Sequence, residues 1–469
     1  MDYKDDRYLK KNQVADNGLL DRRLFLKRGL QFGVITTLTS TVSLASAKKN
    51  QNTSQSKSSD STRAHKSEKS FSTYGLPSKF EDNVLRYPSQ NEAVPGNGVS
   101  WTPLHLMEGA ITPNGLHFER HHNGVPQIDP KKHRLLIHGL VKKDLIFTID
   151  DLLRYPLQSK TCFIECGGNS NAGWNSQPSM AEAGYFNGMV SCSEWTGVAL
   201  SVLLEEVGLD KKAKWLIAEG ADAFAMQVSI PIKKALDDAF LGLYQNGERI
   251  RPENGYPVRL VVPGWEGVLN VKWLHRIKLS NRPVMARNET SRYTELQPSG
   301  KARMFTFAME AKSLITSPSA HMLLKQSGLY QITGLAWSGN GKIRKVEVSA
   351  DDGNSWAEAE LQEPVLDRAF TRFRIPWHWN GKPTILKSRA TDETGYVQPE
   401  RQELVKERGR QGFFHYNAII NWHIDSDGFV SHVYDKDATK KTNSNIAVSY
   451  THLRAHETEA DLVCRLLLE

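Results

Sequence analysis

Cysteine is scarce in this chain, with four in 469 residues, at positions 162, 166, 192 and 464. That is too few for a disulfide framework. Cys162 and Cys166 lie four apart with no second pair at short spacing, and His133 and His138 do not complete a ligand set, so a zinc-finger type of site is excluded. Cys192 is in principle available to pair with Cys162, which the sequence leaves open. No Cys-x-x-Cys-His run occurs, so the sequence offers no c-type haem attachment. Long apolar runs are lacking too: outside residues 29–47 nothing is apolar for long enough to span a bilayer, and no membrane span is expected in the mature chain. The balance of charge is basic, +8 with a pI near 9.1. Zinc-finger spacing and RNP-like aromatic motifs are absent, which argues against nucleic acid and favours anionic cofactors, anionic substrates or an acidic partner surface.

A hydrophobic content of 39% supports well-filled cores, and the length allows two or three domains. The run Asp21-Arg22-Arg23-Leu24-Phe25-Leu26-Lys27 precedes a moderately apolar stretch ending in Ala45-Ser46-Ala47. Paired arginines, an apolar stretch and a small-x-small end read as a twin-arginine export signal over residues 1–47, which places the mature protein in the periplasm. A membrane anchor or a buried helix is the alternative reading. The twin-arginine route carries folded proteins, which suits a cofactor inserted in the cytoplasm. Residues 48–73 are rich in Lys, Ser, Asn, Gln and Thr and read as a disordered linker.

From residue 74 the pattern is globular. His133–Val141, Thr161–Glu165, Lys214–Ala218, Ala225–Ser229, Pro257–Pro263 and Val271–Leu279 read as strands, and Val198–Val207, stopped by Gly208, and Lys233–Asp238 as helices. Ile146–Leu153 reads as a strand end running into a helix capped by an acidic residue. Residues 74–305 therefore form one α+β domain. After Thr306 come short alternating runs, Leu329–Trp337, Ile343–Ser349, Trp356–Leu361, Phe370–Trp377 and Thr384–Ala390, with turns such as Asp351-Asp352-Gly353-Asn354. They predict an immunoglobulin-like β-sandwich over residues 306–435, with no convincing helix. Residues 436–469 read as a tail which, from 448, resembles a translated adapter sequence, with a genuine C-terminal helix as the alternative reading, and Cys464 is given no function.

Cys166 follows a strand and precedes two glycines that let a bulky ligand approach the backbone. On this run alone a buried structural cysteine is equally compatible. Four further segments join it: Phe118-Glu119-Arg120-His121-His122-Asn123-Gly124-Val125-Pro126, Glu219-Gly220-Ala221-Asp222, Asn254 through Gly264, and Asn270-Val271-Lys272-Trp273-Leu274. Together they offer cations and loop N–H groups for a phosphate.

In that order the segments resemble the sulfite oxidase family of molybdenum enzymes over residues 76–435. Gly255-Tyr256-Pro257-Val258-Arg259-Leu260-Val261-Val262-Pro263-Gly264 is the most specific match, and the C-terminal half resembles the family's dimerisation domain. The resemblance implies a molybdenum-molybdopterin cofactor, with Cys166 as the protein's thiolate ligand beside two dithiolene sulfurs; a soft thiolate suits that metal. It implies that Phe118, Glu119, Arg120, His121, His122, Asp222, Asn254, Arg259, Asn270, Val271 and Lys272 hold the cofactor. Family members often carry histidine where Asn254 stands. It also implies that Arg120 faces an anionic substrate, that Tyr293 is the active-site tyrosine, and that Arg372 reaches the pocket from the second domain.

Family members continue the cysteine loop with arginines after the Asn, whereas this chain has Asn169-Ser170-Asn171-Ala172-Gly173-Trp174. Loss of cations there weakens the case for free sulfite, and the loop resembles instead that of the family's sulfane-oxidising members, which implies sulfane sulfur on a carrier protein as the substrate. The resemblance further implies a c-type cytochrome subunit as electron acceptor and a homodimer through the sandwich. The alternatives are a sulfite dehydrogenase, a metal-free binding protein of the same fold, and a reductase of oxidised methionine. Replacing Arg22 and Arg23 by Lys is expected to retain the precursor in the cytoplasm; an unchanged periplasmic yield on cell fractionation contradicts the export reading.

Overall fold

A computed structural model describes residues 17–19, 73–409 and 412–434. The rest of the expected export signal, nearly all of the 48–73 linker and the tail from 435 onward, with Cys464, lie outside the described residues. Of the described residues, 73–84 fall in a separate unit, in which the 3-10 turn Lys79–Glu81 is capped by the Ser78 hydroxyl, accepting from the Phe80 N–H. All other described residues belong to one unit.

Two five-stranded sheets and an antiparallel three-stranded sheet of Tyr87–Gln90, Gly98–Trp101 and Glu119–His121 make up most of the N-terminal half. In the first, Leu157–Glu165 pairs antiparallel with Val190–Ala199, which pairs with Phe240–Gln245; that strand also takes Glu248–Arg249 and Arg259–Val261. In the second, Leu274–Ser280 lies parallel to Leu135–Gly139 and antiparallel to Trp215–Gly220. Gln227–Pro231 and Leu145–Phe147 form its edges. Most expected strands are present, but Val190–Ala199 replaces the start of the expected helix, which is confined to Leu200–Glu206. The reason is physical: that strand is buried on both faces for most of its length, so it carries no two-residue alternation to read. The helix Ile149–Leu152 has a capping box of Thr148 and Asp151, so the cap is the threonine and the acid supports it.

The C-terminal half is a sandwich of two sheets. One contains Lys312–Ser317, Gly328–Trp337, Thr371–Trp379 and Glu360–Leu361; the other Ala357–Glu358, Ile343–Ser349, Thr384–Asp392, Asn421–Ile424 and Val430–Val433. It differs from expectation in the strands Lys312–Ser317, Asn421–Ile424 and Val430–Val433, which are not among the expected runs, and in one helix, Arg401–Arg408. Its sequence is largely charged and buries only Leu404 and Arg408, so no apolar stripe announced it.

A continuous core joins the two halves: Phe163, Phe186, Val190 and Cys192 pack in one cluster with Trp337, Phe370, Phe373 and Trp422. Cys162 and Cys192 stand on neighbouring strands as free, buried thiols. Burial raises both pKa values, that of Cys192 to about 12. At the centre of the junction lies Lys312, 1% exposed, whose Nζ donates to Ser170 Oγ (2.6 Å) and to the Tyr416 carbonyl (3.1 Å) and stands 3.7 Å from Glu165 Oε1. Glu165 also accepts from Trp337 Nε1 (2.6 Å) and Asn169 Nδ2 (2.9 Å). Lys312 and Trp337 come from the sandwich, Glu165, Asn169 and Ser170 from the cysteine loop.

Removing one member of a buried ion pair strands the other. Lys312→Met is expected to destabilise the protein by about 3–5 kcal/mol, and the double change with Glu165→Gln to recover much of that loss in denaturant unfolding. Equal stability of Lys312→Met and wild type contradicts the pairing.

Candidate active site

Strand ends converge on one cleft. The hairpin strand Glu119–His121 and its flanks deliver His117, Phe118, Arg120, His121 and His122; the turn after Leu157–Glu165 delivers Cys166 and Gly167. The segment from Glu253 to Trp273 supplies Asn254, Arg259, Glu266, Asn270, Val271 and Lys272, and Asp222 and Tyr293 complete the wall. Every predicted site residue lines this cleft except two. Glu119 is turned away, pairing with Arg86 and with His121 Nε2 at 2.7 Å. Arg372 is not at the cleft and corrects the expectation: its guanidinium donates to the carbonyls of Met107 (3.0 Å) and Gly109 (3.0 Å) and to Thr316 Oγ1 (3.2 Å). It is a buried strut between the sandwich and the 104–111 segment.

Cys166 is fixed by its backbone. Its N–H donates to the Met189 carbonyl (2.9 Å), and its own carbonyl accepts from Asn169 (2.9 Å), which closes the turn. Asn169 Oδ1 then accepts from the Met189 N–H (3.0 Å). Gly167 has no room for a side chain, since a Cβ there would lie 1.9 Å from Glu266 Oε1. Burial pushes the Cys166 thiol up to about 11, with the Gly168 N–H and Arg120 opposing and Glu266 adding to the rise.

The other end of the cleft is cationic. Arg259, 4% exposed, donates only to the carbonyls of Asn254 (2.7 Å) and Asn270 (2.8 Å), and its Nε has no partner. Lys272 Nζ donates to the carbonyls of Arg120 (3.1 Å) and Glu253 (3.1 Å) and to His121 Nδ1 (2.8 Å). That last bond fixes His121 as the neutral tautomer with its proton on Nε2, facing Glu119. Burial lowers Arg259 to about 9; burial and then Arg259 lower Lys272 to about 7. Burial, Arg120 and Lys272 lower His122 to about 3. Asp222, Glu253 and Glu266 share the lining, yet among the described residues no carboxylate lies within ion-pair distance of Arg259 or Lys272.

Sequence reasoning missed His117, Glu266, Phe414 and His415. His117 is buried, donates from Nδ1 to the Phe118 carbonyl (3.0 Å) and leaves Nε2 without a partner. Glu266 is 4% exposed, with Oε1 unpartnered and Oε2 3.5 Å from His415 Nε2. Burial alone would lower His415, but Glu266 and Glu295 outweigh it and its pKa is raised. Phe414 stacks on Tyr293 at 5.2 Å. Burial, Cys166 and Glu266 hold the Tyr293 hydroxyl protonated, well above the usual phenol range. Only adjacency to a motif, His117 before Phe118 and Glu266 after Gly264, offered any signal.

These features fit a group that carries a phosphate at one end and a thiolate-seeking metal at the other. Two unpaired cations and the orphaned atoms of His117 and Arg259 lie at one end, and a lone thiol whose ionisation burial opposes lies at the other. Gly255, at φ +115°, lets the backbone pass close to Arg259 and Lys272, since a Cβ there would sit 3.1 Å from Arg259 Cβ and 3.2 Å from Lys272 Cα. Among the described residues no cluster of three His, Cys, Asp or Glu side chains could hold a metal, so the metal's other ligands would have to come with the group itself.

The fold and cleft define a molybdopterin oxidoreductase. The oxidoreductase molybdopterin binding domain matches residues 122–288, and the Mo-co oxidoreductase dimerisation domain residues 303–422. The chain belongs to the sulfite oxidase family of molybdopterin enzymes. It is similar to the solved sulfane dehydrogenase SoxCD from Paracoccus pantotrophus, at 45% identity and a TM-score of 0.74 over 77% of this chain and 93% of that one. It is 30% identical to mitochondrial sulfite oxidase of Mus musculus over 68% of this chain, and 34% identical to that of Drosophila melanogaster over 64%. It spans 63% and 57% of the length of those two relatives.

Lys272 sets a pH dependence. In the unfolded chain it keeps its proton to near 10.5, whereas in the fold it gives it up above about 7. The unfolded state thus binds more protons in this window, and Lys272 makes the cofactor-free protein more stable as pH rises from 7 to 8.5. Lys272→Met is expected to flatten that rise in denaturant unfolding; an unchanged slope contradicts the assignment.

Proposed function

We propose that the chain is the molybdenum-binding subunit of a periplasmic sulfur-compound dehydrogenase. It oxidises sulfane sulfur carried on a partner protein, takes oxygen from water and passes electrons to a c-type cytochrome. The observation that carries the choice of sulfane over free sulfite is the loop after Cys166. Asn169 and Ser170 turn into the fold, where Ser170 Oγ bonds Asn187 Oδ1 (2.7 Å) and receives Lys312, so this turn gives the cleft no cation. A small dianion needs a tight clamp of charge, whereas sulfur on a carrier needs an open approach. The 45% identity to a sulfane dehydrogenase supports the same choice, and the lack of a haem motif supports an external electron acceptor. A homodimer through the sandwich accords with the matched dimerisation domain.

The residues that would hold the cofactor are Cys166 at the metal, and Arg259, Lys272, His117, His121, His122, Asn254 and Asn270 around the pterin and phosphate. When bound, the molybdenum centre supplies the two-electron redox chemistry that joins oxygen from water to sulfur. Arg120 is anchored by neutral acceptors, Asn97 Oδ1 (3.1 Å) and the Gly98 carbonyl (3.3 Å), and so keeps its charge for an anionic sulfur group. Tyr293, kept protonated, would offer its hydroxyl as a hydrogen-bond donor in the cleft, with Phe414 stacked against its ring. Each oxidation adds one oxygen atom to sulfur and releases two electrons and two protons.

The test is turnover of the purified holoprotein with its cytochrome acceptor, on sulfite and on sulfane sulfur bound to a carrier protein. Faster turnover on the carrier-bound substrate is expected, and high turnover on free sulfite alone overturns the sulfane reading. Cys166→Ser is expected to abolish both activities, since an alkoxide is a harder, poorer donor. Arg120→Met is expected to lower kcat/KM by about 100-fold, the loss of one charge-assisted contact.

A further inference from the structure

One sheet edge of the sandwich is closed in an unusual way. Strand Thr371–Trp379 pairs along its length with Gly328–Trp337 on one side. On its other side Glu360–Leu361 reaches only Arg374 and Phe373. Beyond that point the backbone of residues 375–379 would stand open beside the side chains of Trp377 and Trp379, and an open edge of this kind is a template for another strand. Asn17, Gly18 and Leu19 take that place. Leu19 forms an antiparallel bridge with Trp377, and the His378 N–H donates to the Gly18 carbonyl (2.8 Å).

The tripeptide is read by its side chains as well as its backbone. Leu19 is 1% exposed and belongs to the sandwich core. Gly18 has φ +84°, and a Cβ there would lie 2.2 Å from the His378 carbonyl oxygen, so glycine is required. Asn17 donates from Nδ2 to Ser355 Oγ (2.8 Å), accepts at its carbonyl from Trp377 Nε1 (3.0 Å), and through Oδ1 accepts from the Leu19 N–H (3.1 Å). Each residue thus meets a separate requirement.

We propose that this edge is a peptide-binding site specific for an Asn-Gly-Leu turn that ends in a single bridge to Trp377, and that residues 17–19 occupy it in cis, fastening that segment to the folded sandwich. The contact joins residues 360 positions apart, so it forms only after strands Gly328–Trp337 and Thr371–Trp379 are in place. Docking therefore reports completion of the C-terminal domain to a segment that lies just ahead of Arg22-Arg23. If that pair directs export, the signal is tied to a finished fold; the binding site itself stands whatever the cleft oxidises and wherever the chain resides.

The test is hydrogen exchange in the full-length protein, read at the His378 amide. Leu19→Asp and Asn17→Ala are expected to speed its exchange by about tenfold or more, while the amides of Leu335 and Ala336 keep their native protection and show the sandwich to be folded. An excess of a synthetic peptide spanning residues 13–22 is expected to restore protection at His378 in Leu19→Asp, and the same peptide with Gly18→Val is not. Equal exchange at His378 in wild type and both variants, or no restoration by the native peptide, overturns the proposal.

Discussion

Arg259 and Lys272 are held by carbonyls and a neutral imidazole, with no carboxylate in ion-pair reach among the described residues. Burying a cation with only neutral partners is costly, and both groups register the cost as lowered pKa values. Much of the surrounding architecture serves this arrangement. Gly255 lets the backbone pass close to both, Asn254 and Asn270 turn their carbonyls inward, and the Glu119–His121 relay steadies Lys272 from behind. A bound polyanion removes the cost, so the cleft is organised for a phosphate-bearing cofactor ahead of its arrival.

The thiol end depends on the second domain. The turn carrying Cys166 is held between Met189 on one side and Lys312, Trp337 and His415 on the other, the last through its N–H to the Gly167 carbonyl at 2.7 Å. Three of those four partners belong to the C-terminal half. The sandwich is therefore part of the support of the Cys166 turn as well as the matched dimerisation domain, and one apolar core runs through both halves.

The parts of the site that the sequence made legible were those in which chemistry is concentrated in short runs: Phe118–His122, Cys166–Asn169, Asn254–Gly264 and Asn270–Leu274. The rest was hidden for identifiable reasons. Glu266 and His415 are single titratable residues whose meaning appears only when distant segments meet. Val190–Ala199 is buried on both faces and has no alternation, and Arg401–Arg408 is too charged to show an apolar stripe. Arg372 misled because an arginine on a sandwich strand suits an anion pocket by residue type, whereas its guanidinium satisfies the carbonyls of Met107 and Gly109. Leu19 sits in a segment whose composition reads as part of an export signal, and nothing in its local pattern points to a partner sheet edge.

The central claim is that Cys166 binds a molybdenum atom whose pterin is held by the cationic end of the cleft. X-ray absorption at the molybdenum edge of the purified holoprotein tests it most directly. About one molybdenum per chain with three sulfur neighbours is expected, one of which is lost in Cys166→Ala. A sulfur count unchanged by that substitution, or no molybdenum in protein made by a host that synthesises the cofactor, would contradict it.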